Sequence, residues 1–110
     1  MPSWSLESAR AILGDVRRRT QAAVEEAEAL SASRDRLAAQ TPERAQVDAR
    51  IRDVVSRWIR AMEALGVEVK GPWLVDFDNG QGYYCWRWPE ERLEHYHGYE
   101  EGFAGRIRIQ

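Results

Sequence analysis

Trp73-Leu74-Val75-Asp76-Phe77-Asp78-Asn79-Gly80-Gln81-Gly82-Tyr83-Tyr84-Cys85-Trp86-Arg87-Trp88 is the stretch in which the chain changes its period. Apolar and polar residues alternate on both sides of Asn79-Gly80, the pattern of two strands joined by a tight hairpin turn. With Asn79 and Gly80 as the turn, Asp78 faces Gln81, Asp76 faces Tyr83, Leu74 faces Cys85 and Trp73 faces Trp86. One face of the ribbon then holds Trp73, Val75, Phe77, Tyr84, Trp86 and Trp88, and the other Asp76, Tyr83, Cys85 and Arg87. The aromatic face needs a cover, because each such ring buries roughly 150–250 Å².

The cover lies upstream. Ser5 is suited to cap a helix whose first turn carries Glu7. From Leu6, the positions Ala9, Leu13, Val16, Thr20, Ala23, Ala27, Leu30, Arg34 and Leu37 follow at alternating steps of three and four, broken only by Thr20 and Arg34. Thr41-Pro42-Glu43 is a second helix start. Val47, Ile51, Val54, Trp58, Ala61 and Leu65 repeat the seam until Gly66 stops it. The expectation is an antiparallel, coiled-coil-like helical hairpin over 5–66. At 1.5 Å per residue, a first helix over Leu6–Ala39 is about 50 Å long and a second over Pro42–Leu65 about 36 Å. The first overhangs the second, so Trp4, Leu6, Ile12 and Leu13 are the surface on which the aromatic face packs. Asp15–Arg19, Asp48–Arg52 and Asp53–Arg57 are spaced for i,i+4 pairs, and Arg17-Arg18-Arg19 reads as a solvated face among acidic neighbours.

Pro89-Glu90-Glu91-Arg92 is a further turn, and Leu93–His97 a third strand. Setting Leu93 beside Trp88, Glu94 beside Arg87 and His95 beside Trp86 places Leu93 on the apolar face and makes a Glu–Arg pair. A slip of one residue reverses the faces and moves His95 and His97 beside Cys85. The expected fold is α+β: the hairpin, then a three-stranded antiparallel sheet over 67–110 packed on the N-terminal part of helix 1, all one domain over 1–110.

Composition narrows the function classes. At 110 residues, 44% hydrophobic and 31% charged, the chain is long and apolar enough to bury a core. Residues 1–66 carry 11 basic and 10 acidic groups and residues 67–110 carry 5 and 8, so no basic stripe suited to nucleic acid is present. The single cysteine, with no apolar run of membrane-spanning length and no leader, points to a cytoplasmic protein.

The chain resembles the bacterial family known as domain of unknown function 2203. The resemblance rests on W-S-L-E-S-A-R-A-I-L at Trp4–Leu13, L-G-V-E-V-K at Leu65–Lys70, L-V-D-F at Leu74–Phe77, C-W-R at Cys85–Arg87, and Y-H-x-x-x-E-G-F-x-G-R at Tyr96–Arg106. Members commonly have Trp-His where Tyr96-His97 stands and often a proline at Gly14. The resemblance implies no particular activity.

Polar chemistry is concentrated between Cys85 and Arg106. Cys85 has the chemistry of a nucleophile or a metal ligand, but a cysteine in an aromatic strand reads first as a small buried apolar residue. His95 and His97 share a strand face, suited to metal chelation or acid–base work with Glu100 or Glu101. No Cys-x-x-Cys or His-Glu-x-x-His spacing supports a metal, and the expected register separates Cys85 from both histidines. Glu101 and Arg106 bracket Gly102-Phe103-Ala104-Gly105, either as a structural ion pair or as an anion pocket with His97 donating and Asp76 and Arg87 nearby.

The ligand-binding candidates are therefore His97, Glu101, Arg106, His95, Arg87 and Asp76, and no cofactor is expected. The favoured function is a non-enzymatic binding or assembly module that dimerises through its hairpin, because Val55, Ile59 and Met62 widen the second seam beyond what one partner helix covers. The pocket would take a small anionic ligand. The alternative is a small hydrolase or metal-dependent enzyme using His97, Glu101 and Arg106, with His95 or Cys85 assisting.

Overall fold

The computed structural model describes residues 3–110. Helix α1 runs over Leu6–Asp35 and α2 over Pro42–Ala64, about 45 and 35 Å at 1.5 Å per residue. Ser5 and Ser8 form a reciprocal capping box at the start of α1, and Thr41 caps α2 with Pro42 in its first turn. α1 stops four residues short of the expected Ala39. The chain reverses through Gln40 at φ 63° so that Thr41 is extended for its cap.

Part of the seam is buried, Ala9, Leu13, Val16 and Thr20 along α1 and Val54 and Trp58 along α2. Ala23, Ala27 and Leu30 of α1 and Val47, Ile51 and Ala61 of α2 are only half-buried, whereas Val24, off the expected seam, is buried. The two breaks in the pattern have partners. Thr20 accepts a hydrogen bond from the Trp58 indole at 2.9 Å, and Arg34 pairs with Asp48. Asp48 is therefore not spent on Arg52, whereas Asp15–Arg19 and Asp53–Arg57 form as spaced. Arg17 donates to the Glu90 carbonyl at 3.1 Å and so ties α1 to the sheet's connection.

The sheet has five antiparallel strands in sequence order: β1 Glu68–Gly71, β2 Leu74–Asp78, β3 Gly82–Arg87, β4 His95–Gly98 and β5 Ile107–Arg108. β1 and β5 add to the three expected, being too short and too polar to show a clear alternation. The β2–β3 faces are as expected, although the turn is shifted. Gly80, at φ 90°, and Gln81 are the central residues, while Asn79 accepts from the Gln81 and Gly82 amides at 2.8 Å. Asn79 satisfies two amides from the first turn position, which it cannot do from the second. Partners move by two residues, to Asp76↔Cys85, Val75↔Trp86 and Leu74↔Arg87, so no side chain changes face.

The third strand takes the other register. His95 lies opposite Cys85, Tyr96 opposite Tyr84 and His97 opposite Tyr83, a one-residue slip that corrects the expected pairing of His95 with Trp86. The slip costs no burial of Leu93, because Leu93 lies in the connection before β4 and reaches the core from there, 1% exposed. Three contacts shape that connection. The Trp86 indole donates to the Glu90 carbonyl at 2.9 Å, the Arg87 amide to Glu90 Oε1 at 2.8 Å, and Arg10 to the Leu93 carbonyl at 3.0 Å.

One core joins hairpin and sheet. Ala9, Leu13 and Val16 of α1 and Trp58 and Met62 of α2 pack on Val75, Phe77, Trp86 and Leu93. Trp4 closes one end, its ring edge-on to Phe77 at 5.3 Å and its indole donating to the Gly66 carbonyl at 3.0 Å. Met62, expected to widen the outer surface, is instead fully buried here, since the sheet reaches across both helices. Among the described residues no helix is long and apolar enough to cross a membrane.

Candidate functional site

The register of β4 collects the polar side chains on the sheet face away from the helices. Asp76 and Cys85 are directly paired, and His97 is diagonal to Cys85 on the next strand. All three are buried, at 1%, 1% and 4% exposure. His97 Nε2 lies 2.9 Å from Asp76 Oδ2 and Nδ1 lies 2.8 Å from the Gly98 carbonyl. That carbonyl can only accept, so Nδ1 carries a proton and Nε2 is the nitrogen turned to Asp76. Asp76 Oδ1 is buried with no hydrogen-bond partner. One donor atom from each of Asp76, Cys85 and His97 lies within 4.8 Å of the others. Burial pushes the Cys85 thiol up to about 12, reinforced by the neighbouring Asp76 carboxylate and opposed by Arg106.

A second cluster adjoins the first. Arg106 grips Glu90 with both terminal nitrogens, at 3.1 and 2.8 Å, and stacks over Phe103 at 4.1 Å, with Arg87 at 5.1 Å from the same ring. Partial burial acts to raise the Glu90 carboxyl, but the Arg106 fork and the Arg87 amide outweigh it and hold Glu90 below its ordinary value. His95 faces Cys85 across the ladder, its Nδ1 3.9 Å from Glu90 Oε2 and, like Asp76 Oδ1, buried without a hydrogen-bond partner.

The residues singled out from the sequence are thus regrouped. His97 joins Asp76 and Cys85, so the separation of Cys85 from the histidines is corrected by the β4 register. Glu101 does not meet Arg106. It accepts from the Gly98 amide at 2.8 Å and closes the turn after β4. The fork of Arg106 is filled by Glu90, a residue expected only as part of the turn after Pro89. The only signal for that role was its place at the start of an acidic pair after Pro89, which does not distinguish a hub from a solvated turn residue.

On the helix side a groove of about 560 Å³ opens between the hairpin and the β1–β2 turn, lined by Val24, Ile51, Val55, Ile59, Val69 and Trp73. Trp73 occupies the turn with φ 57° and stacks edge-on against Trp58 at 4.9 Å. Left-handed backbone costs a non-glycine residue about 1–2 kcal/mol, and the packing of the ring on Trp58 holds it there.

Fold and site define a small α+β protein, a helical hairpin backed by a five-stranded sheet, with a closed Asp–Cys–His cluster on one side and an apolar groove on the other. The chain belongs to the family described as uncharacterized conserved protein (DUF2203), whose family model matches residues 3–109. No curated protein and no solved structure is significantly similar to it.

Proposed function

We propose that the protein is a small binding and assembly module that works as a symmetric dimer, two copies joining through their helical hairpins. The observation that carries this reading is the apolar groove beside α2, whose Val55 and Ile59 are only half-buried within one chain. An isologous interface has to be self-complementary, and the charges at the groove's margins meet that demand. Glu28 stands on the α1 lip, and Arg52 stands on α2 in line with Val55 and Ile59. Neither has an ion-pair partner among the described residues. A two-fold axis crossing α2 near Val55 lays the two apolar stripes together and turns each Arg52 towards the other copy's Glu28.

The sheet's two edge strands, β1 and β5, are the competing means of joining. β5 has only two residues, too few for an extended ladder although its Ile107 is exposed, and β1 is blunted. β1 has only four residues, is irregular between Val69 and Gly71, and exposes Lys70, all of which discourage strand-to-strand pairing. These features favour the helices over the sheet edges as the contact in this reading. Light scattering from tag-free protein tests the reading, with a mass of twice 12.7 kDa expected. A single-chain mass at high micromolar concentration overturns it.

A further inference from the structure

We infer that Asp76, Cys85 and His97 bind a zinc ion on the sheet face away from the helices, independently of whether the chain dimerises. Carboxylate, thiolate and imidazole together are donors that suit zinc, which accepts oxygen, sulfur and nitrogen in one tetrahedral shell. With bonds of roughly 2.0–2.3 Å, tetrahedral donors sit roughly 3.3–3.8 Å apart. The three atoms here are already within 4.8 Å of one another. β2, β3 and β4 hold the three residues on one face, so the remaining distance lies between side chains and not between strands.

Two further observations separate this site from an ordinary buried His–Asp pair. The first is Asp76 Oδ1, buried without a hydrogen-bond partner in a side chain 1% exposed. A carboxylate oxygen left bare in the interior is costly, and a cation beside it removes the cost. The second is the Gly98 carbonyl, which holds the proton on His97 Nδ1. Metal-binding histidines are typically oriented in this way by a hydrogen bond from the other ring nitrogen, leaving Nε2 for the ion.

In the ion-free chain Nε2 and Asp76 Oδ2 share a proton at 2.9 Å, and the thiol keeps its own. The ion takes their place. Nε2, the thiolate sulfur and the carboxylate oxygen each donate a lone pair, and about two protons per ion pass to solvent.

The test is titration of reduced, tag-free protein with zinc and with cobalt(II), which reports a thiolate ligand by a sulfur-to-cobalt charge-transfer absorption. Expected are one ion per chain, that absorption in the cobalt form, its loss when zinc is added, and proton release into a weakly buffered solution. The isosteric Cys85→Ser chain, shown to be folded by its tryptophan near-ultraviolet circular dichroism, is expected to lose the absorption. Its zinc affinity should fall more than about 100-fold, since loss of even an outer partner of a ligand costs 10–100-fold. Failure of the unaltered protein to bind either ion stoichiometrically overturns the assignment without reference to any variant. So does a Cys85→Ser chain that binds as tightly as the original.

Discussion

Replacing Glu90 by glutamine keeps the length of the side chain and an acceptor for the Arg87 amide, but removes the charge that Arg106 grips. In the structure that grip is two hydrogen bonds, at 3.1 and 2.8 Å, between side chains 25% and 12% exposed. Breaking a fully buried pair costs about 3–5 kcal/mol and an exposed one about 0–1 kcal/mol. The partial burial here sets the expected loss between them, at about 2 kcal/mol, or roughly 8 °C in Tm for a domain of this size. The pH dependence supplies the check. Glu90 is held below its ordinary 4.5 because the Arg106 fork and Arg87 amide outweigh its partial burial. A carboxyl depressed in the folded state stabilises above its unfolded value and loses that contribution as pH falls through the folded value. The Tm gap between the original chain and Glu90→Gln should thus be full at neutral pH and close as pH drops below 4.5. Thermal unfolding followed by tryptophan fluorescence across that range measures it. A gap that is absent at neutral pH, or unchanged in acid, refutes the reasoning.

Three other changes follow from the same packing. The ion-free native protein should resist alkylation by iodoacetamide at neutral pH, since Cys85 is 1% exposed and its thiol is pushed up to about 12, and become reactive on unfolding; mass spectrometry with and without denaturant reads this, and rapid native labelling contradicts it. Gly82→Ala places a Cβ 2.7 Å from the His97 carbonyl oxygen and against the Tyr96 hydroxyl, so urea unfolding should show a loss of about 1–3 kcal/mol, and an unchanged midpoint would show that β4 yields there. Leu93→Ala empties a fully buried site and should cost about 2–5 kcal/mol by the same assay; a loss below 1 kcal/mol would mean that Leu93 does not anchor the connection before β4.

Local signals carried most of the fold. The Ser5 cap, the Thr41-Pro42 start and the three-four spacing marked both helices, because caps and seams are written within a few residues. The alternation through Val75–Phe77 and Tyr84–Trp86 marked the ribbon and its faces, and a turn misplaced by one residue did no harm because partners then shift by two. The β4 register was different in kind. It depends on how residues 88–94 are spent, and that is decided by Glu90 accepting from Arg87 and Arg106 and by Leu93 reaching the core from outside a strand, neither visible as a pattern. The grouping of Asp76, Cys85 and His97 hung on that one-residue choice. Arg106 shows the same limit: Glu101 is five residues away in sequence and Glu90 sixteen, yet Glu90 is the partner. The groove was legible in Val55 and Ile59, whereas Met62 turned inward because the sheet extends over α2.

The claim that two copies join through α2 is tested most directly by changing the residue set nearest the proposed axis. Val55→Arg would bring like charges together across a two-fold contact while leaving the chain's own core, which does not include Val55, intact. In sedimentation equilibrium the original chain should have twice the 12.7 kDa mass, and Val55→Arg, with an unchanged circular dichroism spectrum, a single-chain mass. An original chain that sediments as a monomer, or a Val55→Arg chain that remains a dimer, would contradict the account.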